Sequence, residues 1–367
     1  MIGLKRLFAG MTAALLAVIL VFSIPASAVS ARSAILLDAT TGRVLYEKNA
    51  EQKSLIASTT KIMTALVVCE RCNVLDRMRV PKEAVGIEGS SMYLSEGEIL
   101  TVQELLYGLM LHSGNDAAVA LAIYCGGTVE GFSQLMNDKA RSLGMHNSNY
   151  ENPNGLDSEN HYSTARDLAI LAAYAMENPV FSKIVSTKTT TMGNRSLRNH
   201  NKLLWLLEGA DGVKTGYTRA AGRILVSSAS RSGRRLVAVT IADPNDWSDH
   251  ITMMENGFNQ YNQCEIITKG AVLGSVEVAG GESGRVDLIA NESFMYSLAE
   301  DEYVQIKLPS HGFVYAPIAE YQEAGTAQLY LNDRCIGSVS LIFGQTVELE
   351  TQQTPGLWER LLGGNGR

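Results

Sequence analysis

The stretch SAILLDATTGRVLYE, residues 33–47, decides the fold because it opens a sheet that a distant part of the chain must complete. Its two apolar runs, Ser33 to Asp38 and Arg43 to Glu47, are separated by four turn-forming residues and predict a hairpin. A second strand pair is predicted much later, at Ile224 to Ser228 and Leu236 to Ala242. Strands contributed by both ends of one region indicate a single sheet that is completed late in the chain.

The segment between these hairpins has helical patterns. Thr101 to Glu104 has the spacing of a capping box and opens an apolar stretch through Leu111. Further helices are predicted at Asp116 to Tyr124 and at Gly131 to Leu143, and another begins at Thr164. Helices inserted between the strands of one sheet indicate an α+β domain.

The sequence changes in character after about Gln263. Short runs follow in which apolar and polar residues alternate, and glycine and proline interrupt them. These runs predict a small all-β domain over residues 262–350. In the tail, residues 351–367, four large apolar residues cover one side of a short predicted amphipathic helix.

Residues 1–28 have the organisation of a secretory signal peptide. Lys5 and Arg6 precede an apolar stretch from Leu7 to Ile24, and Ala26-Ser27-Ala28 has the small-x-small spacing of a cleavage site. An uncleaved membrane anchor is the alternative, because 18 apolar residues are close to the lower limit for spanning a bilayer. Cleavage would leave an exported chain with 29 basic and 38 acidic residues, and therefore a net charge of −9.

The composition of the whole chain excludes several classes of protein. Of its 367 residues, 46% are hydrophobic and 19% are charged, so the chain can bury a core and does not resemble a disordered protein. The 31 Lys and Arg residues against 38 Asp and Glu residues give a net charge of −7. Nucleic-acid binders depend on clustered basic residues, so we expect no nucleic-acid partner.

The cysteines and histidines predict no cofactor or metal site. Cys69 and Cys72 form a CxxC at the end of a helix-like apolar run, without the preceding strand of a thioredoxin-type redox site. The six histidines are scattered and match no metal-binding pattern. We therefore expect structural cysteines, with an incidental disulfide or thiol chemistry as the alternative. Five is an odd number, so at least one thiol is unpaired within the chain.

Ser58-Thr59-Thr60-Lys61 is the first of three motifs that could carry chemistry. A serine and a lysine three residues apart at the start of a helix lie on the same face. A lysine whose pKa is lowered could take the serine proton, and the positive end of the helix dipole favours the negative charge that develops. Taken alone, the motif also fits a helix cap followed by a solvated lysine.

The other two motifs supply further polar groups. Ser113-Gly114-Asn115 is a predicted turn between helices, where a hydroxyl and an amide could face a cleft or merely cap the next helix. In Lys214-Thr215-Gly216, glycine on an edge strand permits a substrate backbone to approach, and the other two side chains could bind a carboxylate. The positive charge of Lys214 would also lower the pKa of a nearby Lys61.

In this order, the three motifs resemble those of penicillin-binding proteins and serine β-lactamases. Five further segments resemble the low-molecular-weight D-alanyl-D-alanine carboxypeptidases: Gly89–Leu94, Leu111–Ala118, Asn152–Leu156, His161–Ala165 and Val213–Thr218. The resemblance covers roughly Ala34 to Tyr261 and, more loosely, the β domain behind it. It implies a penicillin-binding/β-lactamase-like catalytic domain over residues 29–261, an antiparallel sheet flanked by helices with a helical subdomain, followed by the small all-β domain.

The resemblance implies a serine-type D-Ala-D-Ala carboxypeptidase that removes the terminal D-alanine from peptidoglycan stem pentapeptides. Ser58 would attack the carbonyl between the two D-alanines while Lys61 accepts its proton, and an acyl-enzyme would form. Ser113 would relay a proton to the leaving amine, and Asn115 would orient Lys61 and the substrate amide. β-Lactams should acylate Ser58 in the same way and inhibit the enzyme.

The resemblance also assigns substrate-binding groups. Lys214 and Thr215 would bind the terminal carboxylate beside Gly216, and the backbone N–H groups of Ser58 and Tyr217 would form the oxyanion hole. Some relatives also place an arginine after the strand that follows KTG, but residues 243–250 contain none. Carboxylate binding would then need another group, for which His200 and His250 are candidates.

Three alternative functions stay open. A serine β-lactamase needs a glutamate that activates water, and Glu151 superficially offers one. A non-catalytic cell-wall-binding protein would use a decayed site. A transpeptidase would transfer the acyl group to an amine instead of water.

The expected location is extracytoplasmic, in the cell wall or on the outer face of the cytoplasmic membrane. In related carboxypeptidases a C-terminal amphipathic helix lies on that face, and the tail over residues 351–367 could make the same peripheral membrane contact. The alternative is a frayed terminus, because a helix this short is marginal in water. The expected partners are the peptidoglycan stem peptide and β-lactam inhibitors.

Overall fold

In the computed structural model of this protein, helices fill the interval between two groups of strands. The strands up to Asn256 are β1 (Ser33–Asp38), β2 (Val44–Lys48), β3 (Arg77–Arg79), β4 (Ile99–Thr101), β5 (Thr189–Met192), β6 (Arg195–Arg198), β7 (Ala210–Thr218), β8 (Gly222–Arg231) and β9 (Arg234–Ile241). The helices are α1 (Lys61–Arg71), α2 (Val102–Leu111), α3 (Asn115–Gly126), α4 (Val129–Ser142), α5 (Ala165–Glu177), α6 (Pro179–Ser186), α7 (Leu203–Leu206) and α8 (Asp246–Gln260), with 3₁₀ turns at Ala57–Thr60 and Lys82–Ala84.

The two predicted hairpins belong to one antiparallel sheet. Its strand order is β2-β1-β9-β8-β7, so that β1 pairs with its sequence neighbour on one side and with a late strand on the other. Ile35 of β1 is paired with Val239 of β9, which is paired in turn with Val226 of β8. All three side chains are buried. β7 forms one edge of the sheet, where its free side is open to other parts of the chain or to a ligand.

Two helices of this region start where their sequences predict, whereas the two helices between them begin one or two residues earlier than expected, at Asn115 and Val129. The capping box at the start of α2 is confirmed: the Glu104 N–H donates to Thr101 Oγ1 at 3.1 Å, and the Thr101 N–H donates to Glu104 Oε2 at 2.7 Å. Thr164 caps α5, and its hydroxyl oxygen accepts from the Asp167 N–H. Helices α1 to α6 and the sheet share one large buried apolar core. The predicted α+β class is confirmed.

The structure describes residues 29–310 and 312–351, so the predicted signal peptide and nearly all of the predicted tail helix lie outside the described residues. By its internal contacts the chain divides into two compact units. The first comprises residues up to Ala39 together with Val44–Asn256, and the second comprises Thr40–Arg43 together with residues from Gly257 onward.

The second unit is built from strands. They are β10 (Asn262–Ile267), β11 (Val272–Ala279), β12 (Arg285–Ala290), β13 (Phe294–Leu298), β14 (Gln305–Lys307), β15 (Val314–Tyr315), β16 (Glu323–Leu331) and β17 (Arg334–Phe343). Six of them form a sheet in the order β14-β16-β17-β12-β11-β15, while β10 and β13 pair separately. Buried and exposed residues alternate along most of β16, as the period-two pattern predicts for a strand with one face on a core.

Among the described residues, no single helix has both the length and the apolar composition needed to cross a membrane. The bent pair Ala165–Glu177 and Pro179–Ser186 meets those two criteria jointly, with an angle of 105° between its helices.

Candidate active site

Ser58 and Lys61 are in contact at the start of α1. Ser58 lies in the 3₁₀ turn Ala57–Thr60, and Lys61 is the first residue of the helix that follows. Lys61 Nζ lies 3.0 Å from Ser58 Oγ. The lysine side chain is completely buried, whereas Ser58 is partly exposed and lines a cavity. The SxxK spacing therefore places an accessible hydroxyl directly above a buried amine.

Lys61 has two further partners, both of which are carbonyl oxygens. Its Nζ donates to Asn115 Oδ1 at 2.7 Å and to the main-chain oxygen of Asn154 at 2.6 Å. Asn115 is the first residue of α3, and Asn154 lies in the loop before α5. Three separate segments of the chain thus converge on one amine.

Burial and a neighbouring positive charge both act on the Lys61 amine. Burial is the larger cause that holds the pKa of Lys61 well below its ordinary value, and the charge of Lys214 lowers it further. Asp116 acts in the opposite direction and is the smallest of the three effects. Burial also lowers the pKa of Lys214, to about 7. The site therefore favours a neutral Lys61.

The Asn152–Leu156 loop is held against α1 by its main chain. The Thr64 hydroxyl donates to the Pro153 oxygen at 2.6 Å, beside the bond from Lys61 to Asn154. Gly155 has a φ of +86°, and a Cβ atom there would lie 1.9 Å from the main-chain oxygen of Ala57. Only glycine fits this position, where the loop passes the turn that carries Ser58. The Asn154 carbonyl is a functional group that our sequence reasoning missed, because a main-chain atom has no residue signature.

His161 fixes the other side of the same turn. The Glu151 N–H donates to His161 Nδ1 at 3.1 Å, so the proton of the neutral ring is on Nε2, which lies 2.7 Å from Thr60 Oγ1. Burial lowers the pKa of His161 to about 4, which keeps the ring neutral near pH 7. His161 is therefore a structural link between the loop and the Ser58 turn.

Asn115 and Asp116 anchor the segment that follows Gly89. The Asn115 N–H donates to the Ser90 oxygen at 2.7 Å. Asp116 accepts from the main-chain N–H groups of Met92, at 3.0 Å, and Leu94, at 3.1 Å. These bonds hold a loop over the start of α3 and place Ser90 in the cavity wall.

The KTG motif brings the edge strand β7 against the Ser58 turn. A Cβ atom on Gly216 would lie 3.2 Å from the Ile56 oxygen and 3.3 Å from the Ser58 nitrogen. Glycine therefore permits the two main chains to approach each other closely. Lys214 lies two residues earlier on the strand and is buried, with its Nζ 3.0 Å from the Thr215 oxygen.

These elements enclose a cavity of about 600 Å³. It is lined by Ser58, Ser90, Ser113, His200, Thr215, Gly216, Tyr217, Arg223, Ile224, Asp246 and Trp247. Of the eight residues that the sequence singles out, five line this cavity: Ser58, Ser113, Thr215, Gly216 and Tyr217. The other three, Lys61, Asn115 and Lys214, are buried. Ser113 reaches the cavity from a main-chain φ of 64°, an unusual conformation for serine that is typical of functional turns.

The two histidines considered for carboxylate binding, His200 and His250, lie in different surroundings. His250 is completely buried between Ser227 Oγ, at 2.6 Å, and Thr240 Oγ1, at 3.0 Å, and does not line the cavity, so it cannot be the additional group that binds the carboxylate. His200 does line the cavity, but partial desolvation, Lys214 and His112 lower its pKa to about 4 and leave it uncharged near pH 7.

An arginine outside residues 243–250, Arg223, also lines the cavity and was not predicted from the sequence. Arg223 of β8 donates to the carboxylate of Asp246, with distances of 2.6 and 2.8 Å from its Nη2 atom. Arg223 precedes residues 243–250, the segment in which some relatives have an arginine, so no motif in the sequence pointed to it. Asp246 is the acidic residue among those that line the cavity, and this pairing holds it.

Within residues 29–310 and 312–351, no group of three or more His, Cys, Asp or Glu side chains is placed to hold a metal ion. The groups that the fold brings together for acyl transfer are the Ser58 hydroxyl, the buried Lys61 amine that contacts it, and the Ser113 hydroxyl in the same cavity.

Two family models match consecutive parts of the sequence. Residues 21–245 match the model described as D-alanyl-D-alanine carboxypeptidase, and residues 261–349 match that of the C-terminal domain of penicillin-binding protein 5. The D-alanyl-D-alanine carboxypeptidase DacF of Bacillus subtilis is 35% identical over 315 residues, which cover 82% of this chain and 81% of that protein.

Solved structures agree with this match. Penicillin-binding protein 5 from Haemophilus influenzae aligns with a TM-score of 0.76 at 30% identity, over 87% of this chain and 98% of that one. The Streptomyces K15 DD-transpeptidase aligns with a TM-score of 0.61 at 35% identity, over 63% of this chain and 97% of that one. The predicted fold, a penicillin-binding type of catalytic domain followed by an all-β domain, is confirmed.

Proposed function

The chain belongs to the D-alanyl-D-alanine carboxypeptidase family of serine peptidases and has that activity, and from this premise we propose that Ser58 is its nucleophile and Lys61 the base that activates it. The substrate is then a peptidoglycan stem pentapeptide, from which the terminal D-alanine is removed through an acyl-enzyme on Ser58.

The hydrogen-bond pattern of Lys61 carries this proposal. Two of its three contacts, Asn115 Oδ1 and the Asn154 oxygen, can only accept hydrogen bonds. A neutral amine has two N–H bonds and one lone pair. With both N–H bonds donated to these carbonyl oxygens, the lone pair faces the third contact, Ser58 Oγ at 3.0 Å. Lys61 is thereby oriented to accept the serine proton.

In the first step, the Ser58 oxygen forms a bond to the carbonyl carbon of the D-Ala-D-Ala amide while its proton passes to Lys61. The tetrahedral intermediate then breaks its C–N bond. The leaving nitrogen takes a proton from the Lys61 ammonium through the Ser113 hydroxyl, which lines the same cavity. An ester on Ser58 and free D-alanine result, and Lys61 is neutral again.

The wall formed by β7 binds the rest of the reacting group. The main-chain N–H groups of Ser58 and Tyr217 donate to the developing oxyanion, because Gly216 brings β7 close to the Ser58 nitrogen. The Thr215 hydroxyl donates to the terminal carboxylate, and the buried charge of Lys214 attracts that carboxylate from beneath the cavity wall.

Hydrolysis of the ester completes the reaction. Lys61 takes a proton from water, the water oxygen bonds to the ester carbon, and the Ser58 oxygen leaves with a proton returned to it. A β-lactam would open on Ser58 by the same first step and leave a penicilloyl ester.

We propose a long-lived penicilloyl ester, because no glutamate is among the described residues that line the cavity, whereas a β-lactamase needs one to activate water. Glu151 is exposed, its carboxylate accepts from the Ser158 hydroxyl, and it does not line the cavity. Asp246, the acidic lining residue, is held by Arg223. Slow deacylation of penicillin supports a carboxypeptidase, whereas rapid penicillin hydrolysis would favour a β-lactamase.

The location follows from the substrate. We propose that residues 1–28 are removed on export, that residues 29–261 form the catalytic domain and that residues 262–350 form a separate β domain. The tail over residues 351–367 would then contact the outer face of the cytoplasmic membrane. Deleting residues 355–367 and fractionating cells tests this contact, and an unchanged membrane-bound fraction would exclude it.

The decisive experiment joins activity to one residue. The mature protein is incubated with a stem pentapeptide while released D-alanine is measured, and a second sample is labelled with penicillin and digested for mass spectrometry. We expect stoichiometric release of D-alanine and a label on Ser58. A label on any other residue would remove the proposed nucleophile.

Two controls complete that experiment. Ser58→Ala should lose both the release of D-alanine and the penicillin label. If the protein were a non-catalytic wall-binding protein, the same substitution would leave its binding to the wall unchanged. Addition of an acceptor amine separates hydrolysis from transpeptidation, since an amine adduct in place of free peptide would identify a transpeptidase.

A further inference from the structure

A group of three exposed cations lies beside the active-site cavity. Lys188, Arg198 and Lys202 are exposed, and within the part of the chain that the structure describes none of them forms an ion pair with a carboxylate. Unpaired like charges repel one another, and here they gather on a chain whose net charge is −7. Such a group of cations favours the binding of an anion between them.

Each of these cations lies near a tryptophan ring. Arg198 Cζ lies 5.3 Å and Lys188 Nζ lies 5.9 Å from the centre of the Trp205 ring. Lys202 Nζ lies 6.0 Å from the centre of the Trp247 ring, which belongs to the lining of the active-site cavity. The aromatic faces hold the cations in place without neutralising them.

Two of these cations, Arg198 and Lys202, line a second concave space of about 640 Å³. It is lined by His112, Ser196, Arg198, Asn199, His200, Lys202 and Trp205. His200 lines both this space and the active-site cavity, so the two adjoin at that residue. No acidic side chain is among the described residues that line the second space.

We propose that Arg198 and Lys202, with Trp205 beside them, form a second substrate subsite that binds a carboxylate on the stem peptide upstream of its D-Ala-D-Ala end. The proposal rests on the function proposed above, since the peptide must have its D-Ala-D-Ala end at Ser58. A peptide bound there must leave the cavity, and each extended residue advances about 3.3 Å, so a few upstream residues suffice to pass His200.

The planar guanidinium of Arg198 suits a carboxylate, which it can bind through two parallel N–H bonds. Lys202 adds a second positive charge at the side that faces Trp247. Trp205 lines the same space, and its ring lies beside the Arg198 guanidinium. This subsite gives an acidic protein the local positive charge that the buried amines of the catalytic site cannot present to solvent.

A peptide series tests the subsite directly. One glutamate is placed in turn at each of the three positions that precede D-Ala-D-Ala, and each peptide is compared with its glutamine counterpart. At one position we expect the glutamate peptide to have a kcat/KM about tenfold higher, as a charge-assisted hydrogen bond would give. Raising the salt concentration should reduce this preference.

Two double variants assign the preference to the proposed residues. Arg198→Gln with Lys202→Gln should abolish the preference for glutamate while penicillin still acylates Ser58 at the wild-type rate. Arg77→Gln with Lys82→Gln removes the same charge from residues outside the lining of both cavities and should keep the preference.

The outcomes separate the two proposals. Equal kcat/KM values for all glutamate and glutamine pairs, or a preference that survives in the Arg198 and Lys202 variant, would overturn the subsite. A wild-type protein that neither releases D-alanine nor is labelled at Ser58 would overturn the proposed nucleophile instead.

Discussion

Lys61 Nζ and Asn115 Oδ1 lie 2.7 Å apart, and this bond joins the first residue of α1 to the first residue of α3. The Asn115 side chain also donates from Nδ2 to the Glu88 oxygen at 2.5 Å, which fixes its orientation. The amide oxygen therefore faces the amine, and a neutral group occupies a position where a carboxylate would stabilise a charged Lys61.

Asn115→Asp is expected to impair acylation most strongly at low pH. A carboxylate at this position raises the pKa of Lys61, so that less of the neutral base is present near pH 7, and the rate should fall about tenfold or more. Activity should recover as the pH rises. The measurement is the rate of Ser58 acylation by a fluorescent penicillin from about pH 5 to about pH 10, a range that extends well below the ordinary lysine pKa of about 10.4. An unchanged pH profile would show that Lys61 is not the base.

Lys214 should set the high-pH limit of activity. Its pKa is lowered to about 7, so the ammonium that attracts the substrate carboxylate is present below that pH and is lost above it. We expect kcat/KM for the peptide to rise as Lys61 loses its proton and to fall again above about pH 7 in the free enzyme. In the substrate complex, the bound carboxylate should move this fall to higher pH.

Lys214→Arg tests that assignment, because arginine stays protonated throughout this range. The fall in kcat/KM at high pH should disappear, even if the maximum rate is lower. Lys214→Ala should lose peptide turnover far more than it changes folding, which thermal unfolding monitors. Wild-type turnover in the alanine variant would refute the role of Lys214.

Most side chains of this site could be predicted from the three motifs SxxK, SxN and KTG and their order in the sequence. This is possible because only a few residue types can perform acyl transfer. Ser58, Ser113 and Thr215 line one cavity as that order implies. The Asn154 oxygen could not be predicted in this way, since every residue has a carbonyl and only the fold determines which one reaches Lys61.

Arg223 shows a second limit. The family pattern places an arginine after the strand that follows KTG, whereas this chain has one near the start of β8, where it pairs with Asp246. A pairing between residues 23 positions apart depends on how β8 and α8 are placed. The strands themselves were predictable because apolar runs and turn residues act locally.

Gly155→Ala is expected to lower both stability and activity. The positive φ of +86° disfavours any side chain, and the new Cβ would lie 1.9 Å from the Ala57 oxygen, so the loop or the Ser58 turn must move. A cost of about 1–3 kcal/mol in the free energy of unfolding is typical of such strain. The acylation rate should fall as well, because Asn154 moves away from Lys61.

Gly233→Ala is the matched control for that change. Gly233 has a φ of +82°, and no atom lies within 4 Å of the position of a Cβ there. Gly233→Ala should therefore add backbone strain without displacing the 152–156 loop or the Ser58 turn. Its acylation rate should be normal. Equal rates for the two glycine variants would mean that the 152–156 loop does not position Lys61.

Cys125 is expected to be more reactive towards alkylating reagents than Cys69. A hydrogen bond from the Cys72 thiol is the largest cause that lowers the pKa of Cys125; burial opposes it, and the charge of Arg71 lowers the pKa further. Burial raises the pKa of Cys69 to about 12, so almost none of its thiolate exists near neutral pH. All five cysteines are free, so mass spectrometry after brief treatment with iodoacetamide at about pH 7.5 can compare them in one sample.

Cys72→Ala should slow the alkylation of Cys125, because it removes the hydrogen bond that stabilises the thiolate. The acylation of Ser58 should stay at its wild-type rate, since Cys72 and Cys125 lie at the far ends of α1 and α3 from Lys61 and Asn115. Cys335 is exposed and serves as an internal reference for the reagent. If Cys125 and Cys69 react equally fast, the Cys72 thiol does not activate its neighbour.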